Sequence, residues 1–444
     1  MQDYFFSLAD IIAARLKGDE GFLAGFSGER SQFVRFNRSA VRQPGTVSQN
    51  YLSIELFRDK RHASASVTVT EDRSEDTSRI DAAIASLRDV LADAEEDPHF
   101  MVNTDPKSTT RNAPDQLPAP NDAVDAILTA GAGEDLVGFY AAGPIHAGFA
   151  NSYGQRNWHT VHAFNFDACF YLRGDPAVKD RAVKMEYGGQ AWDSAVFNSK
   201  ANAARGQLAS LARPAKVLAP SGYRVYLAPA AMEEVMGMLC WDGFSFAARE
   251  TSTTPLLRLG SGESLAPCVS ITENIVDGLA PAFQGEGFLR PDKIELISNG
   301  ALGATLASPR SGAEFGAPHN GAEDYEAPQA LEMAAGTLAD KDILSALGTG
   351  VYVGNLWYLN YSDRNACRMT GMTRFATFWV ENGEIVAPLG VMRFDDSAYR
   401  FLGKNLIGLT ATRDWRLSTD TYEARSSRSM QLPGALIDDF RLTL

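Results

Sequence analysis

The sequence predicts an α+β protein of two domains, and three observations carry that prediction. Short stretches alternate apolar and polar residues, as in Leu52, Ile54 and Leu56 against Ser53 and Glu55. Period two is the signature of antiparallel sheet that is wet on one face. Between these stretches lie helical stripes, first Phe5, Leu8 and Ile12, then Ile80, Ile84, Leu87 and Leu91. Toward the C-terminus strands dominate, and Asn299-Gly300 and Asn382-Gly383 each sit between apolar runs, the mark of a hairpin with a type I′ turn. A chain of 444 residues exceeds one ordinary core. The expected units are an N-terminal α+β domain over 1–214, with mixed antiparallel sheet and helices, and a β-rich domain over 215–444.

The elements follow in order. The first helix is expected to run to Lys17, where Gly18 stops it. Strands are expected over 32–37, 51–57 and 63–70, the last two joined by the charged turn Arg58-Asp59-Lys60-Arg61. The second helix follows. Residues 101–121 contain Pro106, Pro114, Pro118 and Pro120 and read as a surface loop. A strand over 161–172 places Phe164, Phe166, Ala168 and Phe170 on one face, and a polar-faced helix covers 192–211. The pattern changes at Pro214. A strand over 224–227 and a helix from Pro229 open the second half.

Composition narrows the function classes. Apolar residues make up 45% and charged residues 22%, normal for a soluble globular protein. A net charge of −14 argues against a broad phosphate-binding face, so no nucleic-acid partner is expected. The start, Met1-Gln2-Asp3-Tyr4-Phe5-Phe6, lacks the basic region of a signal peptide. No apolar run approaches the roughly 18 residues that span a bilayer, so no membrane partner is expected either. Cys169, Cys240, Cys268 and Cys367 form no C-x-x-C pair and read as reduced, buried thiols. The expected compartment is the cytoplasm.

The informative element is the helix from Pro229 to Cys240. Met232, Val235, Met236, Leu239 and Cys240 recur at helical spacing, which packs one face on a sheet. Proline suits the first helical position because its missing donor would be unpaired anyway. Taken alone, Glu233 and Glu234 read as carboxylates favoured by the helix dipole. Elsewhere signals are weak. His159 and His162 lie three apart on an expected strand and so face opposite ways. Cys367 sits in the charged stretch Ser362-Asp363-Arg364-Asn365-Ala366-Cys367-Arg368, which could lower a thiol pKa. That stretch, with Trp357, Tyr358 and Tyr361, reads either as a contact surface or as a buried stabilising cluster.

In order and spacing, several segments resemble the TldD/PmbA (TldD/TldE) proteins. They are Glu29-Arg30-Ser31-Gln32-Phe33-Val34-Arg35-Phe36, then Gly285-Glu286-Gly287 and Ser298-Asn299-Gly300, then Thr370-Gly371-Met372-Thr373 with Phe378-Trp379-Val380-Glu381-Asn382-Gly383, and finally Leu432-Pro433-Gly434. The TldD branch resembles a zinc peptidase with an H-E-x-x-x-H helix and a distant cysteine. Two imidazoles and a thiolate hold zinc there, and the glutamate takes a proton from the bound water. Histidines five apart sit about 140° round an ideal helix, so a glycine before the second one lets the turn distort. Laid on this chain through Gly237, the motif reads Glu233-Glu234-Val235-Met236-Gly237-Met238. Glu234 keeps the acidic position, while Glu233 and Met238 replace the histidines. The cysteine position falls near Arg425. A thioether and a guanidinium cannot replace an imidazole and a thiolate around zinc.

The resemblance therefore implies a TldE/PmbA-like subunit with no catalytic residue, metal or cofactor of its own. Its implied partner is a TldD-like subunit that carries the zinc, and the implied substrates are extended or unfolded peptides, including leader peptides. Alone, such a chain is expected to be inactive and able to homodimerise. Two rivals stand beside this reading: a stand-alone peptide-binding protein, and a hydrolase using Glu234 or Cys367 in an unrecognised site.

Overall fold

The computed structural model describes residues 1–173 and 181–444, and among these the strands form three sheets. Helix α1 (Gln2–Ala13) buries Phe5, Leu8, Ala9 and Ile12, as its stripe predicts. It ends before Lys17, because Arg15 and Leu16 tighten into i→i−3 bonds to Ile12 and Ala13. Strands β1 (Gly21–Asn37), β2 (Ala40–Arg58) and β3 (Arg61–Thr68) form a long meander, much longer than the alternation alone suggested. Helix α2 (Arg73–Asp93) starts on Asp72, whose carboxylate accepts from the Ser74 and Glu75 amides, a cap worth about 1 kcal/mol.

The expected loop over 101–121 holds a short strand, β4 (Thr110–Asn112), and runs into α3 (Pro120–Gly131). Strands β5 (Asp135–Asn151), β6 (Arg156–Tyr171) and β7 (Ala182–Gly189) follow, then α4 (Ser194–Leu211), capped by Asp193. The first sheet runs β3-β2-β1-β5-β6, with β4 and β7 both pairing β6. Helices α1 and α2 pack on one end of its covered face, against Phe22, Phe26, Leu52 and Ile54. Helices α3 and α4 pack on the other end, against Val34, Phe36, Tyr140, Phe164 and Phe166. Ala376 and Phe378, from the second half, complete this second core.

The second half begins with β8 (Ser221–Leu227) and α5 (Pro229–Cys240). Its strands are β9 (Ile271–Asn274), β10 (Lys293–Ser298), β11 (Ala301–Leu302), β12 (Ala330–Met333), β13 (Gly350–Asp363), β14 (Arg368–Glu381), β15 (Glu384–Pro388), β16 (Arg393–Ser397), β17 (Leu406–Leu409), β18 (Asp414–Leu417), β19 (Ser429–Leu432) and β20 (Ala435–Leu442). One sheet runs β11-β10-β9-β12-β19-β18. In the other, β13-β8-β20-β16-β14 closes on itself through the β13–β14 pairing. Both Asn-Gly turns form as expected, with positive φ at Asn299 (49°), Gly300 (79°), Asn382 (52°) and Gly383 (81°). The architecture is α+β. No helix among the described residues is long and apolar enough to cross a membrane.

Candidate functional site

Helix α5 lies on β13 and buries Met232, Val235, Met236 and Leu239 in the main core of the second half. Each fully buried side chain of this kind stabilises the fold by about 1.5–3 kcal/mol, which fixes the helix rigidly. Met238 is buried as well, and its carbonyl accepts the Tyr361 hydroxyl at 2.6 Å. Gly237 faces open space within an unbroken α-helical stretch, so no distorted turn occurs there.

Glu233 and Glu234 lie beyond the first turn, which holds no acidic residue. The dipole effect falls off within that turn, so a different partner must account for them. For Glu233 that partner is Arg416 on β18, whose Nε donates to Glu233 Oε2 at 2.7 Å. The Arg416 side chain is 5% exposed, and it also pairs with Glu186 on β7. Lys184 pairs with both Glu186 and Asp167, the latter on β6 at 3.3 Å. The network thus ties α5 and β18 in the second half to β6 and β7 in the first. Burial pushes the Glu233 carboxyl up to about 7, while Lys184 pulls it back and Glu234 and Asp167 push it further. Burial likewise lowers Arg416 to about 10. For Arg416 the nearby Asp167 opposes that shift. Glu234 is raised by burial, with Lys184 opposing.

A cavity of about 170 Å³ adjoins this network at the N-terminal end of α5. Lys184, Lys200, Gln207, Asn355, Asp414 and Arg416 are among its walls, and Lys200 bonds Asp414 at 2.6 Å.

Arg425 is held elsewhere. Its guanidinium donates to the Ala163 carbonyl (2.7 Å), Ser31 Oγ (3.2 Å), the Gly143 carbonyl (3.3 Å) and Asn165 Oδ1 (3.4 Å). Its amide reaches Glu29 Oε1 at 3.3 Å. Among the described residues these partners all lie on β1, β5 and β6, and none lies on α5. Burial lowers its pKa to about 10, with Glu29 opposing. The segment carrying Arg425 is a strap across the first sheet, since Ser418 and Glu423 also offer carbonyls to Asn165 and Gln49. The structure brings Glu233 and Glu234 together and sets Arg425 apart from them.

The other candidates resolve plainly. Cys367 is fully buried, and burial raises its thiol to about 12 against the pull of Arg364 and Arg258. The charged stretch therefore does not activate it. Arg364 instead donates to Asp242 at 2.7 Å and stacks over Trp241 and Tyr361. Trp357 and Tyr358 are exposed, while Tyr361 is partly buried, so the aromatic stretch divides between surface and core. The cysteines are all free, yet Cys268 is exposed where burial was expected. His159 is buried with Nε2 2.9 Å from the Leu279 carbonyl, and His162 is half-buried on the opposite face of β6.

Donor chemistry decides whether zinc would fit. Glu233 is engaged by a guanidinium, Met238 is a buried thioether, and Arg425 is a cation on another sheet. Among the described residues no group of three or more His, Cys, Asp or Glu is arranged to hold a metal ion. These positions do not fit a zinc ion.

Fold and site together define an α+β scaffold whose α5 helix carries one carboxylate, Glu233, held by a buried guanidinium. Residues 220–444 match the family model described as the PmbA/TldA metallopeptidase C-terminal domain, and the chain belongs to that PmbA/TldD family. The fold is similar to TldE from Thermococcus kodakarensis, with a TM-score of 0.78 and 14% identity over 100% of both chains. It is also similar to a Thermotoga maritima protein described as a candidate modulator of DNA gyrase. There the TM-score is 0.75 at 15% identity, covering 99% of this chain and 100% of that one. A Bacteroides thetaiotaomicron protein with the same description gives a TM-score of 0.75 at 15% identity, covering 99% and 98%. No curated protein matches the chain.

Proposed function

We propose that this chain is the non-catalytic, TldE/PmbA-like subunit of a heterodimeric metallopeptidase, with zinc and cleavage supplied by a TldD-like partner. The observation that carries the reading is the engagement of Glu233 by Arg416. A guanidinium at 2.7 Å occupies the carboxylate standing where the active branch needs an imidazole. Glu234, with no metal-bound water beside it, has no proton to take. The raised thiol of Cys367 counts against the hydrolase alternative. The proposed substrates are extended or unfolded peptides, the proposed compartment is the cytoplasm, and the chain alone is inactive. The test mixes the chain with the TldD-like protein of its own genome. Light scattering should give a 1:1 heterodimer, elemental analysis should find zinc only in the partner, and peptide cleavage should require both chains and vanish with a chelator. Cleavage by the partner alone at the same rate would refute the proposal.

A further inference from the structure

The β1–β2 arm carries a feature that the α5 region does not use. Over residues 40–49, β2 pairs with β1 alone, because β3 joins it only from Tyr51 onward and Val69 bonds the Asn50 carbonyl. Positions 41–48 of β2 are exposed throughout, with Val41 and Val47 each 39% exposed. Their outward N–H and C=O groups form an open edge, a template for another strand.

Charge singles out this edge. Residues 30–48 contain Arg30, Arg35, Arg38 and Arg42 and not one Asp, Glu or Lys, in a chain of net charge −14. All four arginines are exposed. Across the register Arg30 stands opposite Ser48 and Arg35 opposite Gln43. Most other arginines in the molecule are spent on carboxylates or carbonyls, such as Arg88 on Glu20 and Arg310 on Asp97. Among the described residues these four make no ion pair. Charges of one sign on an edge commonly repel a further strand. That guard acts on neutral or basic strands and turns into attraction for an acidic one.

We propose that the β1–β2 arm is a docking edge for an extended acidic peptide, which adds as a strand beside β2 and pairs its carboxylates with Arg42 on that strand and Arg38 at the turn, while Arg30 and Arg35, one strand further in on β1, add to the attraction. Backbone pairing supplies tolerance of sequence, and the arginines supply preference for charge. Pro44 removes one donor, and the Asn50 carbonyl already accepts the Val69 amide, so the run Gly45–Ser48 offers the uninterrupted part of the edge. The inference deepens the peptide-handling role proposed above and rests on it, naming the class of peptide this subunit would present.

The test uses the full chain alone and fluorescein-labelled short peptides, followed by anisotropy. One peptide alternates Glu and Thr, a second replaces Glu by Gln, and a third is the acidic peptide N-methylated at alternate amides. The acidic peptide should bind about tenfold more tightly than the neutral one. That advantage should disappear in about 0.5 M salt, where screening shortens the Debye length to about 4 Å. It should also disappear in the variant combining Arg30→Ser, Arg35→Ser, Arg38→Ser and Arg42→Ser, whose circular dichroism should match the parent. N-methylation should cost a further loss of about tenfold if the peptide joins as a strand. Equal binding of acidic and neutral peptides overturns the proposal, as does binding unchanged by the arginine variant or by N-methylation. Light scattering on the same samples adds one more outcome: a dimer of this chain that salt dissociates assigns the edge to self-pairing and also overturns it. Failure here with a normal heterodimer removes the edge alone, whereas failure to assemble removes the earlier reading.

Discussion

Arg416 reaches Glu233 from a strand 183 positions along the chain, at 2.7 Å, and joins it to Glu186 across the boundary between two sheets. Removing the guanidinium leaves Glu186, Asp167 and Glu233 facing each other with Lys184 as the remaining cation. Breaking a buried pair in this way costs about 3 kcal/mol, so Arg416→Ala should lower the urea midpoint markedly. Glu233→Gln keeps a hydrogen-bond acceptor for Arg416 and should cost only about 1 kcal/mol. The two denaturation curves check the asymmetry.

The same logic bears on Glu234. It lies beyond the first turn and, in the proposed non-catalytic subunit, has no metal-bound water to deprotonate, so Glu234→Gln should change stability by less than about 1 kcal/mol. Activity of the assembled complex should be unaffected in a peptide-cleavage assay. Loss of activity with assembly intact would make this chain catalytic.

Two buried groups should give opposite pH slopes. Burial and the nearby Asp324 raise Glu286 to about 7, above its unfolded value, so its contribution is present at low pH and is lost as pH rises through 7. Burial lowers His159 to about 4, so its contribution is present above its unfolded value and is lost as pH falls toward 4. Glu286→Gln should therefore flatten the decline of stability from acid toward neutral pH. His159→Gln should flatten the loss on acidification. Thermal unfolding from pH 4 to 8 reads both.

Thiol labelling tests the burial pattern. Cys268 is exposed, while burial raises Cys240 and Cys367 to about 12 and Cys169 to about 11. The thiolate is the reactive form. A maleimide at neutral pH should add to Cys268 first, with the other three reacting only on unfolding, as intact mass would record.

Arg425 supplies a further check. Arg425→Ala removes the guanidinium bonds that pin the strap to the first sheet, and bonds to charged groups contribute about 1.5–3 kcal/mol. Limited proteolysis should then cut near residues 418–428 faster than in the parent.

Much of the local structure was legible because it follows from periodicity. The stripe Met232, Val235, Met236 and Leu239 had to bury itself, and both Asn-Gly pairs had to turn. Strand β5 escaped notice because Gly138, Gly143, Pro144 and Gly148 interrupt its alternation with residues that usually mark loops. Strand β7 was missed although Val183, Met185 and Tyr187 alternate with Lys184 and Glu186, the one signal that could have found it. The site was legible only where one helix carries it. Arg416, Glu186, Lys184 and Asp167 come from three strands, and a single sequence holds no period linking them. The place of Arg425 follows from position along the sequence alone, which says nothing about which sheet receives its side chain.

The closed ring of strands in the second half has a consequence for how the protein is made. Its staves come from residues 221–227, 350–363, 368–381, 393–397 and 435–442, so the last is made long after the first. While a nascent chain still lacks that stave, β8 has only β13 beside it and Leu227, Tyr226 and Val225 miss their partners Ala435, Leu436 and Ile437. The first sheet, complete by Gly189, can form during synthesis. The ring cannot close until residues 435–442 have been made, so a premature stop between residues 382 and 434 should leave the first sheet with Ala376 and Phe378 to pack on it and the ring of the second half open and prone to degradation.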